Sequence, residues 1–350
     1  MAICEECGGV QKFADAKWLE EIERIYDQYE TYSLTGPLDQ IVLDPQTNTV
    51  RPRCEILVEK LTAIADFPAH GSWLDYGCGR GAMLKSVSAL ESQWELHGFD
   101  LDDQHIDYLE TIDGFVALHD DLTVTTGPLF DVISMVHSLE HFVDPLNVLD
   151  RAHNFLVKNG WLFVQVNDTR KNPFEVLVAD HLTHFDPHTL EETVTRAGYE
   201  VLLVSTDWVT KELSLIARLV DRVTKPKFVA SSVYHDADAV AVQIDWLRQV
   251  VESARSISDD VPFGLFGSSV AATWLDSHLS DKVAYFVDED LARIGRQHLS
   301  KPILAPDQLD SGSVVFLGLI PDVAARIHER LCHLPVEFVL PPALALPTTG

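Results

Sequence analysis

The chain has 350 residues, 46% of them hydrophobic, which is enough to fill the cores of two or three domains and too much for a disordered polymer. Its 26 basic residues face 54 acidic ones, a net charge of −28, which argues against a nucleic-acid surface built on clustered Lys and Arg. The expectation is a cytoplasmic protein: no apolar leader opens the sequence, no run is long enough to span a membrane, and the five cysteines are scattered.

The opening stretch CEECGGVQK holds Cys4 and Cys7. A tetrahedral zinc site usually needs two such pairs, and Cys54 has no near partner in sequence, so no zinc is expected. Residues 16–30, AKWLEEIERIYDQYE, have helical period, and residues 52–65 form a second helix. From about 70 to 205, strand-like apolar runs alternate with helical stretches, which implies a parallel sheet with crossover helices. The strands are SWLDYG, WELHGFD, FVALHD, FDVISMV and GWLFVQVN. The helix AMLKSVSALES follows the first strand and PLNVLDRAHNFLV precedes the fifth, with LVKNG read as a helix end and a Gly turn. YEVLLVSTDW and ELSLIARLV have no helix between them and form an antiparallel pair closing the sheet.

A polar link, VTKPK, then leads into the long helical stretch SSVYHDADAVAVQIDWLRQVVESARSIS. FGLFGSS, KVAYFVD, SVVFLGL and the helix DVAARIHERL after Pro321 make a second, smaller α/β domain, followed by the irregular tail LPPALALPTTG. The resulting division is an N-terminal segment 1–55, a central α/β domain 56–222, and a linker helix with the C-terminal domain 223–350.

The central motif is WLDYGCGRGAMLKSV, a strand, a glycine turn and a helix. Gly77, Gly79 and Gly81 let backbone approach a ligand closely, and Asp100 lies about one βα unit further on, where an acid can bind ribose hydroxyls. DYGCGRG, GFD, FDVISMVHSLEHFVDP and LVKNGWLFVQV together resemble the class I, Rossmann-like S-adenosylmethionine-dependent methyltransferases over residues 55–205. That resemblance implies that Gly77, Cys78, Gly79 and Gly81 lie against the methionine part of the cofactor, with Asp75 balancing its ammonium group. It implies that Asp100 takes the ribose and Asp120 or Asp121 the adenine amine, with Leu101 and His137 in the same set.

Histidines crowd after the fourth and fifth strands: His137 and His141 with Glu140, then His181, His184 and His188. In open sheets these strand ends face the ligand, and a His or carboxylate there can take a proton from an acceptor. His181 is the first candidate base and His141 the second, with Glu140 beside them; Glu140 and His141 alone are too few for a metal ion. His188 is expected to be structural, and Asp186 followed by Pro187 reads as a helix start.

DHLTHFDPHTL, CEECGGVQK and the C-terminal region resemble parts of the sugar C-methyltransferases, which carry a small Rossmann-like C-terminal domain. In this chain Asp180 precedes His181 where that family has Glu-His. The resemblance implies a small-molecule acceptor, a sugar or nucleotide-linked sugar, methylated at carbon or oxygen; HSLEHFVDP looks more like O-methyltransferases of non-sugar metabolites, and a catalytically idle binding protein of the same fold is the other alternative. In the C-terminal region Gly264, Gly267, Ser268 and Ser269 follow a strand and Asp288 ends the next, but the later glycines of a dinucleotide fingerprint are missing, so NAD is not expected.

Overall fold

The computed structural model describes residues 1–4, 8–28, 39–91, 93–120, 129–220, 233–258 and 260–345. The expected VTKPK link lies outside the described residues. The chain divides into two compact units, one of residues 1–25, 37–169 and 180–233, the other of residues 26–36, 170–179 and 234–350.

The first unit is built on a seven-stranded sheet. Its strands are β1 (Gly71–Tyr76), β2 (Trp94–Phe99), β3 (Phe115–His119), β4 (Phe130–Val136), β5 (Leu156–Asn167), β6 (Tyr199–Ser205) and β7 (Glu212–Leu219). Their order is β6-β7-β5-β4-β1-β2-β3. The first five strands run parallel, and β6 and β7 close the edge antiparallel, as their direct succession implies. Strands buried on both faces read as continuous apolar runs, and alternate residues feed opposite layers. Leu74, Ile133, Leu162 and Val164 pack with Leu149 and Val194 on one side; Trp73, Val132, Trp161 and Phe163 pack with Leu57, Leu61 and Leu84 on the other. The first layer is roofed by helices Pro145–Ala152 and Pro187–Arg196, the second by helices Arg53–Thr62 and Ala82–Ser88.

Two expected boundaries move. The helix after β1 ends at Ser88, and the helix before β5 ends at Ala152, followed by one tight turn over His153–Phe155. Leu156 and Val157 therefore open the strand instead of ending a helix, because Leu156 pairs with Phe130 on β4. The expected Gly turn is absent: the left-handed residue is Asn159, with φ 62°, and it takes up the register shift between Phe130 and Val132. Elements the sequence reading did not anticipate are a hairpin of Ile41–Asp44 with Thr49–Pro52, and a three-stranded patch of Ala2–Ile3, Val10–Gln11 and Thr183–His184. In the hairpin Asp44 accepts the Gln46 and Thr47 N–H groups, the turn chemistry that DPQTNT between two short apolar runs would have signalled.

The second unit carries a six-stranded sheet of β8 (Phe263–Phe266), β9 (Tyr285–Val287), β10 (Gln297–His298), β11 (Lys301–Leu304), β12 (Val314–Phe316) and β13 (Glu337–Val339). The order is β10-β11-β9-β8-β12-β13, parallel except for β10 against β11. Helices Val233–Arg255, Val270–Leu279 and Pro321–Leu331 accompany it, so both units are α/β. A ten-residue excursion of the chain, 170–179, belongs to this unit: Phe174 and Val176 enter its core, and the Phe174 ring meets Trp246 at 5.5 Å. Among the described residues no helix is long and apolar enough to cross a membrane.

Candidate functional site

The glycine turn leaves the C-terminal end of β1 and enters the helix Ala82–Ser88. Gly77 has φ 84°, and a Cβ there would come within 2.5 Å of Ser138 Cβ, so conformation and packing both demand glycine. Ser138 in turn donates to the Tyr76 carbonyl at 2.6 Å and fixes the turn against the end of β4. The Gly77 and Cys78 N–H groups donate to the Phe99 carbonyl, at 2.8 and 3.0 Å, tying the turn to β2. The Gly79 N–H donates to Asp100 Oδ2 at 2.8 Å, while the Asp102 N–H donates to Oδ1. The glycine loop and the acid one βα unit later are thus joined in one cradle at the strand ends, where open α/β sheets hold ligands.

Asp75 lies deeper, 3% exposed, its Oδ1 accepting from Ser134 Oγ at 2.6 Å, with Trp73 Nε1 donating to the same hydroxyl. Burial pushes its carboxyl up to about 7; the Asp100 charge adds to this, and the Ser134 hydrogen bond opposes it. With the folded value above the unfolded one, stability is fully present below about pH 4 and is lost as pH rises through about 7. Asp75→Asn keeps an acceptor for Ser134 and removes this slope. The stability lost between pH 5 and 8 should shrink by about 2–3 kcal/mol in urea titrations. An unchanged slope would show that Asp75 is already ionised in the fold at pH 5.

Of the other expected cofactor residues, Cys78 is buried against Gly98, where a Cβ would lie 2.6 Å from its sulfur, and burial raises its thiol well above the usual range. Gly81 caps the following helix with φ 79°. Leu101 is 85% exposed beside Asp100, and Asp120 is exposed at the end of β3. Asp121 and Cys7 lie outside the described residues.

His137 stands in a buried ionic chain that sequence reasoning did not find. It has φ 52°, and its Nδ1 and Nε2 face Glu140 Oε1 and Glu212 Oε2, each at 3.2 Å. Glu212 also accepts from Arg53 Nε at 3.0 Å and Gln165 Nε2 at 2.8 Å. Burial and Arg53 both push His137 down, but the two carboxylates outweigh them and raise it to about 9. Burial works against both acids, yet Glu212 is held far below the usual carboxylate range by Arg53 and His137, and Glu140 is lowered by His137. The signal for Glu212 was faint: one acid at the head of the otherwise apolar run ELSLIARL.

Glu140 and His141 sit on a single tight turn, Leu139–His141, after β4. The Leu182 N–H donates to the Glu140 carbonyl at 2.8 Å and brings the His181 segment onto that turn. The N-terminal strand pins the segment from its other side, through Lys12 N–H to the Leu182 carbonyl. His141 Nδ1 lies 3.2 Å from Asp180 Oδ2, and the His141 and His181 rings meet edge to face at 4.6 Å. Burial lowers His141, but Asp180 and Glu140 more than compensate and leave it raised. Asp180 is correspondingly lowered by His141, against its own burial. One atom each of Glu140, His141 and His181 falls within 4.8 Å of the others. The fold therefore unites residues 41 positions apart that the sequence offered only as separate candidates. Asp186 caps its helix through a reciprocal bond pair with Thr189, and His188 points outward beside Glu192.

In the second unit the acid ending β9, Asp288, accepts from Ser268 Oγ at 2.8 Å and lies 3.4 Å from Arg293 Nη1. The position that would bind ribose in a dinucleotide fold is thus already paired.

Residues 49–204 match a family model described as a methyltransferase domain. No curated protein matches the chain. Among solved structures it is similar to 1,6-didemethyltoxoflavin-N1-methyltransferase of Burkholderia thailandensis, at 17% identity and TM-score 0.42, over 61% of this chain and 95% of that one. It is also similar to an S-adenosylmethionine-dependent methyltransferase of Clostridium acetobutylicum, at 11% identity and TM-score 0.41, over 58% and 99%. A third is an Aquifex aeolicus enzyme of the same description, at 15% identity and TM-score 0.40, over 57% and 98%.

Proposed function

We propose that this chain, a class I S-adenosylmethionine-dependent methyltransferase by the domain that spans residues 49–204, methylates a sugar or nucleotide-linked sugar at oxygen or carbon. The observation that carries the cofactor placement is the Gly79 N–H bond to Asp100, which joins the glycine loop to the ribose-binding acid. Bound S-adenosylmethionine supplies a methyl group on a sulfonium, ready for in-line transfer. Gly77, Cys78, Gly79 and Gly81 hold its methionine part with Asp75 beneath them. Asp100 takes the ribose hydroxyls, Leu101 lies along the adenine, and Asp120 or Asp121 takes the adenine amine. His137, which follows β4, completes the set.

On the acceptor side His181 receives the proton from the reacting hydroxyl or carbon, with His141 the second choice and Glu140 supporting the pair. The C-terminal domain is read as no second cofactor domain, since Asp288, where a dinucleotide fold would hold ribose, already pairs with Ser268 and Arg293. The free thiols of Cys54, Cys78 and Cys332 support a reducing, cytoplasmic setting.

Calorimetry with S-adenosylmethionine and with NAD tests the cofactor; incubation with nucleotide sugars, scored for a mass gain of one CH2 unit, tests the acceptor. Tight S-adenosylmethionine binding with no product from any sugar, but product from a hydroxylated metabolite of another class, would move the acceptor outside the sugars. His181→Ala should bind S-adenosylmethionine as the wild type does and lose turnover about 10²–10⁴-fold. Normal turnover in that variant removes His181 from the chemistry.

A further inference from the structure

We propose that Glu140, His141 and His181 form a site for one divalent transition-metal ion of the zinc type. The three side chains offer one ligand atom each within 4.8 Å of one another, on a frame fixed by the backbone bond from Leu182 to Glu140. Glu140 is 1% exposed, and its two oxygens are unequal. Oε1 faces His137 at 3.2 Å, while Oε2 is buried with no hydrogen-bond partner among the described residues. A buried carboxylate oxygen left without a partner is costly, and a cation at this point satisfies it.

The surrounding groups already orient the ligands. Asp180 stands 3.2 Å from His141 Nδ1, which leaves Nε2 as the donor atom, and His137 holds Glu140 by its other oxygen. A carboxylate behind a metal-binding histidine fixes its ring and raises its basicity. Two imidazoles and one carboxylate favour zinc, cobalt or iron over magnesium and calcium, which prefer all-oxygen sets. Three protein ligands leave at least one position for water or for an oxygen of the acceptor. The inference rests on the methyltransferase reading for its use: at such a site the cation orients and polarises the acceptor oxygen, and the proton-accepting role given above to His181 belongs to the metal-free protein.

The test uses the full chain, stripped with a chelator and then titrated with Zn²⁺, Co²⁺ or Mg²⁺ alone. We expect one Zn²⁺ per chain by calorimetry, Mg²⁺ binding far weaker, and visible Co²⁺ bands without the near-ultraviolet thiolate band that cysteine ligation by Cys4 or Cys7 would give. His181→Ala should lose Co²⁺ uptake, and Asp180→Asn should weaken it about 10–100-fold. Both variants should keep a cooperative melting transition and wild-type S-adenosylmethionine affinity, which separates loss of the site from loss of the fold. No uptake, a thiolate band, or uptake that survives His181→Ala would overturn the proposal and leave the methyltransferase reading standing. Metal uptake without S-adenosylmethionine binding would strike the functional reading alone.

Discussion

Asp100→Ala should weaken S-adenosylmethionine binding at least about 100-fold in calorimetry. The ribose presents two hydroxyls, and a hydrogen bond to a charged acceptor contributes about 1.5–3 kcal/mol. The same carboxylate also accepts from the Gly79 and Asp102 N–H groups, so its loss frees the glycine loop as well as the ribose. Asp100→Asn keeps one acceptor oxygen and should fall between the two. Because Asp100 is partly buried at a strand end and not in the core, the variant should melt close to the wild type. Unchanged affinity would place the methyl donor outside this cleft.

Glu212→Ala should destabilise the first unit by about 3–5 kcal/mol, the usual cost of removing one member of a buried ionic group. It strands Arg53 and His137, both charged, together with the Gln165 amide. The pH dependence gives a second reading of the same chain of charges. His137 is raised to about 9, so its contribution is fully present below about pH 6.5 and is lost as pH rises through 9. The wild type should therefore lose roughly 3 kcal/mol between pH 6.5 and 9.5, and Glu212→Ala much less. Urea titrations at those two values check both statements. Equal slopes in the two proteins would show that His137 is neutral in the native state.

What the sequence made legible was whatever repeats a period or joins neighbouring residues. The sheet of the first unit follows from apolar runs such as FDVISMV and from YEVLLVSTDW meeting ELSLIARLV without a helix between them. The Gly77 turn and its tie to Asp100 lie within one βα unit and are visible for the same reason. What escaped depends on distant pairing. The strand character of Leu156 is decided by Phe130 across the sheet, and local helical preference could not reveal it. Glu212 matters because Arg53 and His137 arrive from elsewhere in the fold, and no spacing rule links the three. Likewise His181 reaches Glu140 through the Leu182 backbone bond, an event of tertiary folding.

The excursion of residues 170–179, which lends Phe174 and Val176 to the core of the second unit, bears on how such a chain can be reshuffled by recombination. A C-terminal unit inherited through a single joint near residue 233 would arrive with a notch where Phe174 meets Trp246. Grafting this unit whole would require moving three separate stretches of gene together, those for residues 26–36, 170–179 and 234–350.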